Sequence, residues 1–162
     1  MALDKTSKGD IHMTGATEQK LLFPGLAGFY ASWRDIAYTL VRVVIGYNLL
    51  MHGWAKFNGG IAGVAGVMAK NGLEPSQFFA GAAMFLETVG ALCVIFGLFT
   101  RFFAAALAIE MGIAFLVVHL PKGFSAAQGG YEYVLLLGIV LFAIAIRGGG
   151  PYSLDSAIGK EL

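Results

Sequence analysis

One cysteine, four prolines and few charges mark this chain by what it leaves out. Cys93 stands alone in an apolar run, so a disulfide, a paired-thiolate metal site and an internal dithiol are all excluded, and it carries no information on redox compartment. Charged residues make up 13% of the 162 positions, against about 25% in an average soluble domain. The net charge is +1 with no basic stripe, which removes nucleic acid from the candidate partners. No helix offers the paired histidine spacing of a strong metal motif, and nothing recognisably binds haem, flavin or nicotinamide. Gly148-Gly149-Gly150 has neither the lysine nor the strand of a phosphate loop and reads as a break between elements. The first 20 residues are polar, with Lys5, Lys8 and Lys20, and no apolar core of the right length comes after them, so a secretory signal peptide is not expected.

The rest of the composition is hydrophobic. Apolar residues reach 57%, mean hydropathy is +0.73, and there are 23 glycines, a residue commoner in membrane helices than in soluble ones. A helix needs about 20 mostly apolar residues to cross the hydrocarbon. Four runs approach that length: 36–57, 77–99, 102–120 and 131–146. The predicted fold is therefore all-α, an integral membrane four-helix bundle. A soluble all-helical protein is disfavoured because four such runs rarely coincide by chance. Thr100 and Arg101 alone separate the second and third runs, which predicts a tight antiparallel hairpin. Residues 61–70 read as a short interfacial helix, Asn71-Gly72 as a turn, and Pro75 as part of the next helix's first turn.

The chain divides into three regions. Residues 1–33 form a polar, partly flexible segment with an interfacial stretch. Residues 34–147 form the four-span domain, and 148–162 a short cytoplasmic amphipathic tail beginning near Ser153. Lysine and arginine set orientation. The N-terminal side would hold Lys5, Lys8, Lys20, Arg34, Arg101, Arg147 and Lys160; the other side holds Lys56, Lys70 and Lys122. Both termini are thus expected in the cytoplasm.

Polar residues inside the runs are the candidate functional groups, because a charge at the bilayer centre costs at least ~2.5–3.5 kcal/mol. At 1.5 Å per residue, Arg42, Glu110 and Glu87 fall at about 10, 12 and 18 Å from the N-terminal side. Gly46 and Gly53 share the face of Arg42; Ala80, Ala83, Gly90 and Gly97 share that of Glu87. These positions predict an intramembrane pair of Arg42 with Glu87 or Glu110. Nearer the other side, Asn48, His52 and Lys56 form one stripe at i, i+4, i+8, and His52 and His119 both lie at roughly 26 Å. With Glu132 they predict a cluster open to the outside, suited to a metal, to proton relay or to a quinone head group. Glu110 and His119, nine residues apart, lie on opposite faces of a straight helix and cannot share one pocket. The plainer readings are structural glue for Arg42 and interfacial anchoring for His52, Lys56 and His119.

Taken in order, several motifs resemble the DoxX family of small four-span bacterial membrane proteins. They are Arg42, the HG-x-x-K of His52, Gly53 and Lys56, the E-x-x-G of Glu87 and Gly90, and the G-L-x-T-R of Gly97, Leu98, Thr100 and Arg101. His119 is next, then Gly130 and Glu132, then the tail of Gly148, Gly150, Ser153, Leu154 and Asp155. The resemblance covers about four-fifths of the chain. It implies a bacterial inner-membrane protein in a quinone- or thiol-linked redox system, beside a redox or membrane partner or in a homo-oligomer; it does not imply that this chain alone is an enzyme. Three functions remain open: a redox accessory handling a quinone or small thiol or sulfur species, a structural subunit of a larger membrane complex, and a small proton-coupled transporter.

Overall fold

A computed structural model describes residues 21–161. The expectation for residues 1–20 lies outside the described residues. Among those described there is helix and no strand. α1 (Ala27–Gly59) ends where Gly60 takes φ +76°. α2 (Ile61–Lys70) matches the expected short helix, and Asn71-Gly72 turns the chain. α3 (Ser76–Phe96) and α4 (Thr100–Lys122) come next, both long and apolar enough to cross a membrane. α5 (Glu132–Arg147) has 16 residues, about 24 Å of helix against a core of about 30 Å. α1 is longer but carries Arg34, Asp35, Arg42 and Lys56.

The turn between α3 and α4 is Gly97-Leu98-Phe99, earlier than expected, and Thr100 and Arg101 belong to α4. α3 stops because Gly97 enters the left-handed region, with its N–H on Val94 and that of Leu98 on Cys93. That is the Schellman arrangement, and glycine takes the conformation without steric cost.

The buried positions of α1 are Arg42, Gly46, Leu49 and Gly53, one stripe at helical spacing. Glycine sets how α1 lies on α3. A Cβ at Gly46 would sit 3.0 Å from the Ala91 carbonyl oxygen, and one at Gly53 would sit 2.5 Å from that of Glu87. This register brings Lys56, one turn beyond Gly53, to Glu87, and Arg42, one turn before Gly46, to the end of α3. Leu49, Val94, Leu107, Leu141 and Ile144 fill the core between α1, α3, α4 and α5.

Arg42, 1% exposed, donates to three carbonyls: Val94 at 2.6 Å, Ile95 at 2.7 Å and Tyr152 at 2.7 Å. The expected Arg42 ion pair with Glu87 or Glu110 is not formed. The last carbonyls of α3 and its negative dipole end supply the electrostatic partner that a carboxylate was expected to supply. Asp155, also 1% exposed, does the reverse for α4. It accepts from the N–H groups of Phe99 (2.7 Å) and Thr100 (2.9 Å) and from the Thr100 hydroxyl (2.6 Å). It thereby holds Phe99 at φ +48°, a conformation that disfavours side chains.

The tail is therefore docked. Its short helix α6 (Leu154–Ile158) is capped by Ser153 and buries its aspartate while Leu154 and Ile158 stay exposed. The short helix expected near Ser153 is thus present, with Asp155 turned inward. Arg101 closes α5 in the same region, donating to the carbonyls of Ala145, Ile146 and Arg147 and pairing with Glu161.

Candidate functional site

Two departures from regular helix shape the other end of the bundle. In α3, residues Leu86–Gly90 form a π-turn; in α4, Phe115–His119 form another. Such widened turns rotate the helix beyond them and recur at functional sites. The Thr88 hydroxyl donates to the Met84 carbonyl at 2.5 Å within the first. The backbone of Glu87 is there pressed against Gly53. Gly53→Ala must push the two helices apart against main-chain atoms, so a loss of about 1–3 kcal/mol is expected. Chemical unfolding in detergent, set against Gly63→Ala, whose Cβ meets nothing within 4 Å, measures it.

Glu87 is 3% exposed. Its carboxylate pairs with the Lys56 ammonium, which comes from the stripe on α1 and keeps its side chain 30% exposed. Glu110 faces the same space from α4, with Oε2 shielded from water and without a hydrogen-bond partner. His119 joins them. The π-turn adds one residue to a turn and so shifts the ring by about 100°, which overturns the expectation that Glu110 and His119 cannot share a pocket. All four residues line one cavity of about 350 Å³. The remaining wall is apolar, and its Val67, Phe78 and Ile109 are exposed on the outside of the bundle.

A second cavity, about 280 Å³, lies on the loop side and shares Lys56, Glu87, Met111, Ala114 and His119 with the first. His52, Tyr133, Gly129 and Gly130 form its other walls. His119 Nδ1 lies 2.7 Å from the Gly129 carbonyl. A carbonyl only accepts, so Nδ1 carries the hydrogen and Nε2 of the neutral ring is an acceptor.

The other candidates divide. His52 is exposed at the rim, its ring 6.1 Å from that of Tyr133. Asn48 is occupied: it donates to the Val44 carbonyl at 2.9 Å and accepts from the Tyr133 hydroxyl at 2.9 Å, tying α1 to α5. Glu132 does not join the histidines. As the first residue of α5 it turns back and accepts the Ala126 N–H at 3.1 Å, organising the loop. Tyr133 takes the wall position expected of Glu132. That tyrosine was not singled out from the sequence; its position one residue past Glu132 was the available signal. No group of three or more metal-ligating His, Cys, Asp or Glu residues occurs among the described residues.

A cation, two carboxyls and a histidine against an apolar wall can orient a ligand with a polar head and a greasy body, and can hold or move protons. The DoxX family model matches residues 37–120. That stretch contains Arg42, His52, Lys56, Glu87, Glu110 and His119.

This chain belongs to the DoxX family.

A Haemophilus influenzae protein called uncharacterized is 32% identical over 133 residues, 80% of this chain and 96% of that protein. A second protein of that organism, also called uncharacterized, is 32% identical over 88 residues, 54% of this chain and 58% of its own length. A Bacillus subtilis protein named "Putative oxidoreductase CatD" is 31% identical over 126 residues, 78% of this chain and 90% of that protein. No solved structure matches. The family and the two apolar helices make this DoxX protein a membrane protein.

Proposed function

We propose that this DoxX protein is a ligand-binding accessory of a membrane redox system, and that the cavity between α3 and α4 takes the head group of a quinone. The observation that carries the reading is the 350 Å³ cavity, lined by Lys56, Glu87, Glu110 and His119 and otherwise by apolar side chains. Ligand sites are commonly apolar with a few polar groups that fix orientation. Exposed Val67, Phe78 and Ile109 at its wall would let a lipid-dissolved molecule in from the side. A small thiol or sulfur species is the second candidate for the polar end. The CatD relative, named for oxidoreductase activity, supports a redox setting. A protein partner would supply the electrons, since this chain's chemistry is acid–base and electrostatic.

The same reading places four spans in a bacterial inner membrane, with α1 and α5 beside α3 and α4 and both termini in the cytoplasm. The 34–147 region is then the membrane domain, and 148–161 a cap on its cytoplasmic end. Leu40, Val44, Tyr47 and Met51 on α1 and Leu136, Ile139 and Phe142 on α5 are all exposed, an apolar surface of the kind that lipid covers.

The test is equilibrium binding of decylubiquinone and a short-chain menaquinone to the purified protein in lipid nanodiscs. Saturable one-to-one binding by either is expected, weakened at least tenfold by Lys56→Met and by Glu110→Ala. Partitioning identical to that of empty nanodiscs would remove the quinone reading. Co-purification with a larger complex and no bound ligand would favour the structural-subunit reading instead.

A further inference from the structure

We propose that the loop-side cavity is a proton access route from the aqueous rim to Glu110, with His119 as the relay. Charge comes first. The space that Glu110 faces holds one ammonium and two carboxyls, and Lys56 is already paired with Glu87. Glu110 is half-buried and lines that cavity with both of them, and its Oε2 is shielded from water and has no hydrogen-bond partner. An ionised carboxylate left so is costly, whereas the neutral acid needs no cation and gains a donor. A Glu110 that rests protonated avoids that cost, and its proton must have a way in and out.

The route is set by which residues both cavities share. His52 and Tyr133 stand exposed at the rim, from α1 and α5. His119, from α4, lines both spaces beside Lys56 and Glu87. These, with Glu110 itself, are the titratable groups that the packed elements present to the two cavities. Each cavity has room for several waters, which occupy about 30 Å³ apiece in the liquid. His119 suits a relay because its Nδ1–H stays on the Gly129 carbonyl while Nε2 takes up and releases a proton. The steps balance. An O–H of rim water breaks as Nε2–H forms, leaving hydroxide to the bulk. Nε2–H then breaks as an O–H forms on the Glu110 carboxylate, directly or through cavity water, and His119 returns to neutral. Exchange at equilibrium runs the same steps in both directions.

The experiment needs no ligand. Infrared spectra of the protein in nanodiscs are followed after transfer into D₂O, reading the carboxylic-acid C=O stretch. A band that disappears in Glu110→Gln is expected, shifting within seconds in the wild type. In His119→Phe the shift should be at least tenfold slower, and added imidazole should restore the rate in His119→Gly, which a purely structural role for the ring would not permit. If His119→Phe fails to fold, His119→Gln keeps a donor for Gly129 and is expected to show the same slowing. The proposal falls if Glu110→Gln leaves the acid band unchanged, or if the histidine variants exchange at the wild-type rate. A protein that binds no quinone can still show the full exchange pattern, so this result and the quinone result fail separately.

Discussion

Arg42→Leu is expected to remove about 3 kcal/mol of stability, because buried carbonyls lose a charged donor and each one left unsatisfied costs about 1–3 kcal/mol. Three hydrogen bonds from a charged donor disappear at once, each worth about 1.5–3 kcal/mol alone and not additive. Leucine fills much of the space but leaves the Tyr152 and Ile95 carbonyls without the guanidinium. The loss comes from the end of α3 and from the docked tail, with no stranded carboxylate involved. Two measurements separate these. Denaturant unfolding in detergent reads the stability, and limited proteolysis reads release of the segment after Gly150. Arg42→Lys should recover less than half, because a single ammonium cannot fork across three acceptors from two segments. A variant as stable as wild type would mean that Arg42 is dispensable to the fold.

The second large effect is at Lys56. Lys56→Met is expected to cost about 2–3 kcal/mol, below the 3–5 kcal/mol typical of a fully buried pair because the lysine is partly exposed. It leaves the Glu87 carboxylate, 4% exposed at its side chain, without a partner. The double variant Lys56→Met/Glu87→Leu should return to within about 1 kcal/mol of wild type, since well-packed apolar residues commonly replace a buried pair at no loss. Quinone binding is expected to stay lost in both. Recovery of stability without recovery of binding would assign the pair to the ligand rather than to the scaffold. If the double variant bound quinone as wild type does, the pair would have no part in the site.

Much of this was legible from residue spacing. The stripe of Arg42, Gly46 and Gly53 is the buried face of α1, and Ala80, Ala83, Glu87 and Gly90 are buried on α3. Small residues at helical period mark close approach whether or not the neighbour is known. The bounds of α2 were readable because Gly60 and Asn71-Gly72 punctuate it.

Partners were harder. Arg42 is held by main-chain carbonyls, and a carbonyl has no sequence identity, so pairing side chain with side chain sent it to the wrong acceptor. Lys56, read as a rim residue, took Glu87 because the Gly53 contact sets the register. The π-turns at Leu86–Gly90 and Phe115–His119 have no composition of their own. Without the second, Glu110 and His119 fall on opposite faces. Glu132 turned back to its own loop because free N–H groups lay within reach, a local competition that spacing along the chain does not display.

The clasp formed by Tyr152 and Asp155 also has a bearing on how the protein is made. A ribosome delivers the chain from its N-terminus at about 5–20 residues per second. Arg42 emerges 110 residues before the Tyr152 carbonyl that completes its bonding, and Thr100 emerges 55 residues before Asp155. For that interval the nascent helices wait with a cation and a bent backbone unsecured. That end of the molecule can take its final packing only once Tyr152 and Asp155 have emerged. A nascent chain halted with Arg147 just clear of the ribosome would have every long helix outside and not yet the contacts of Tyr152 and Asp155.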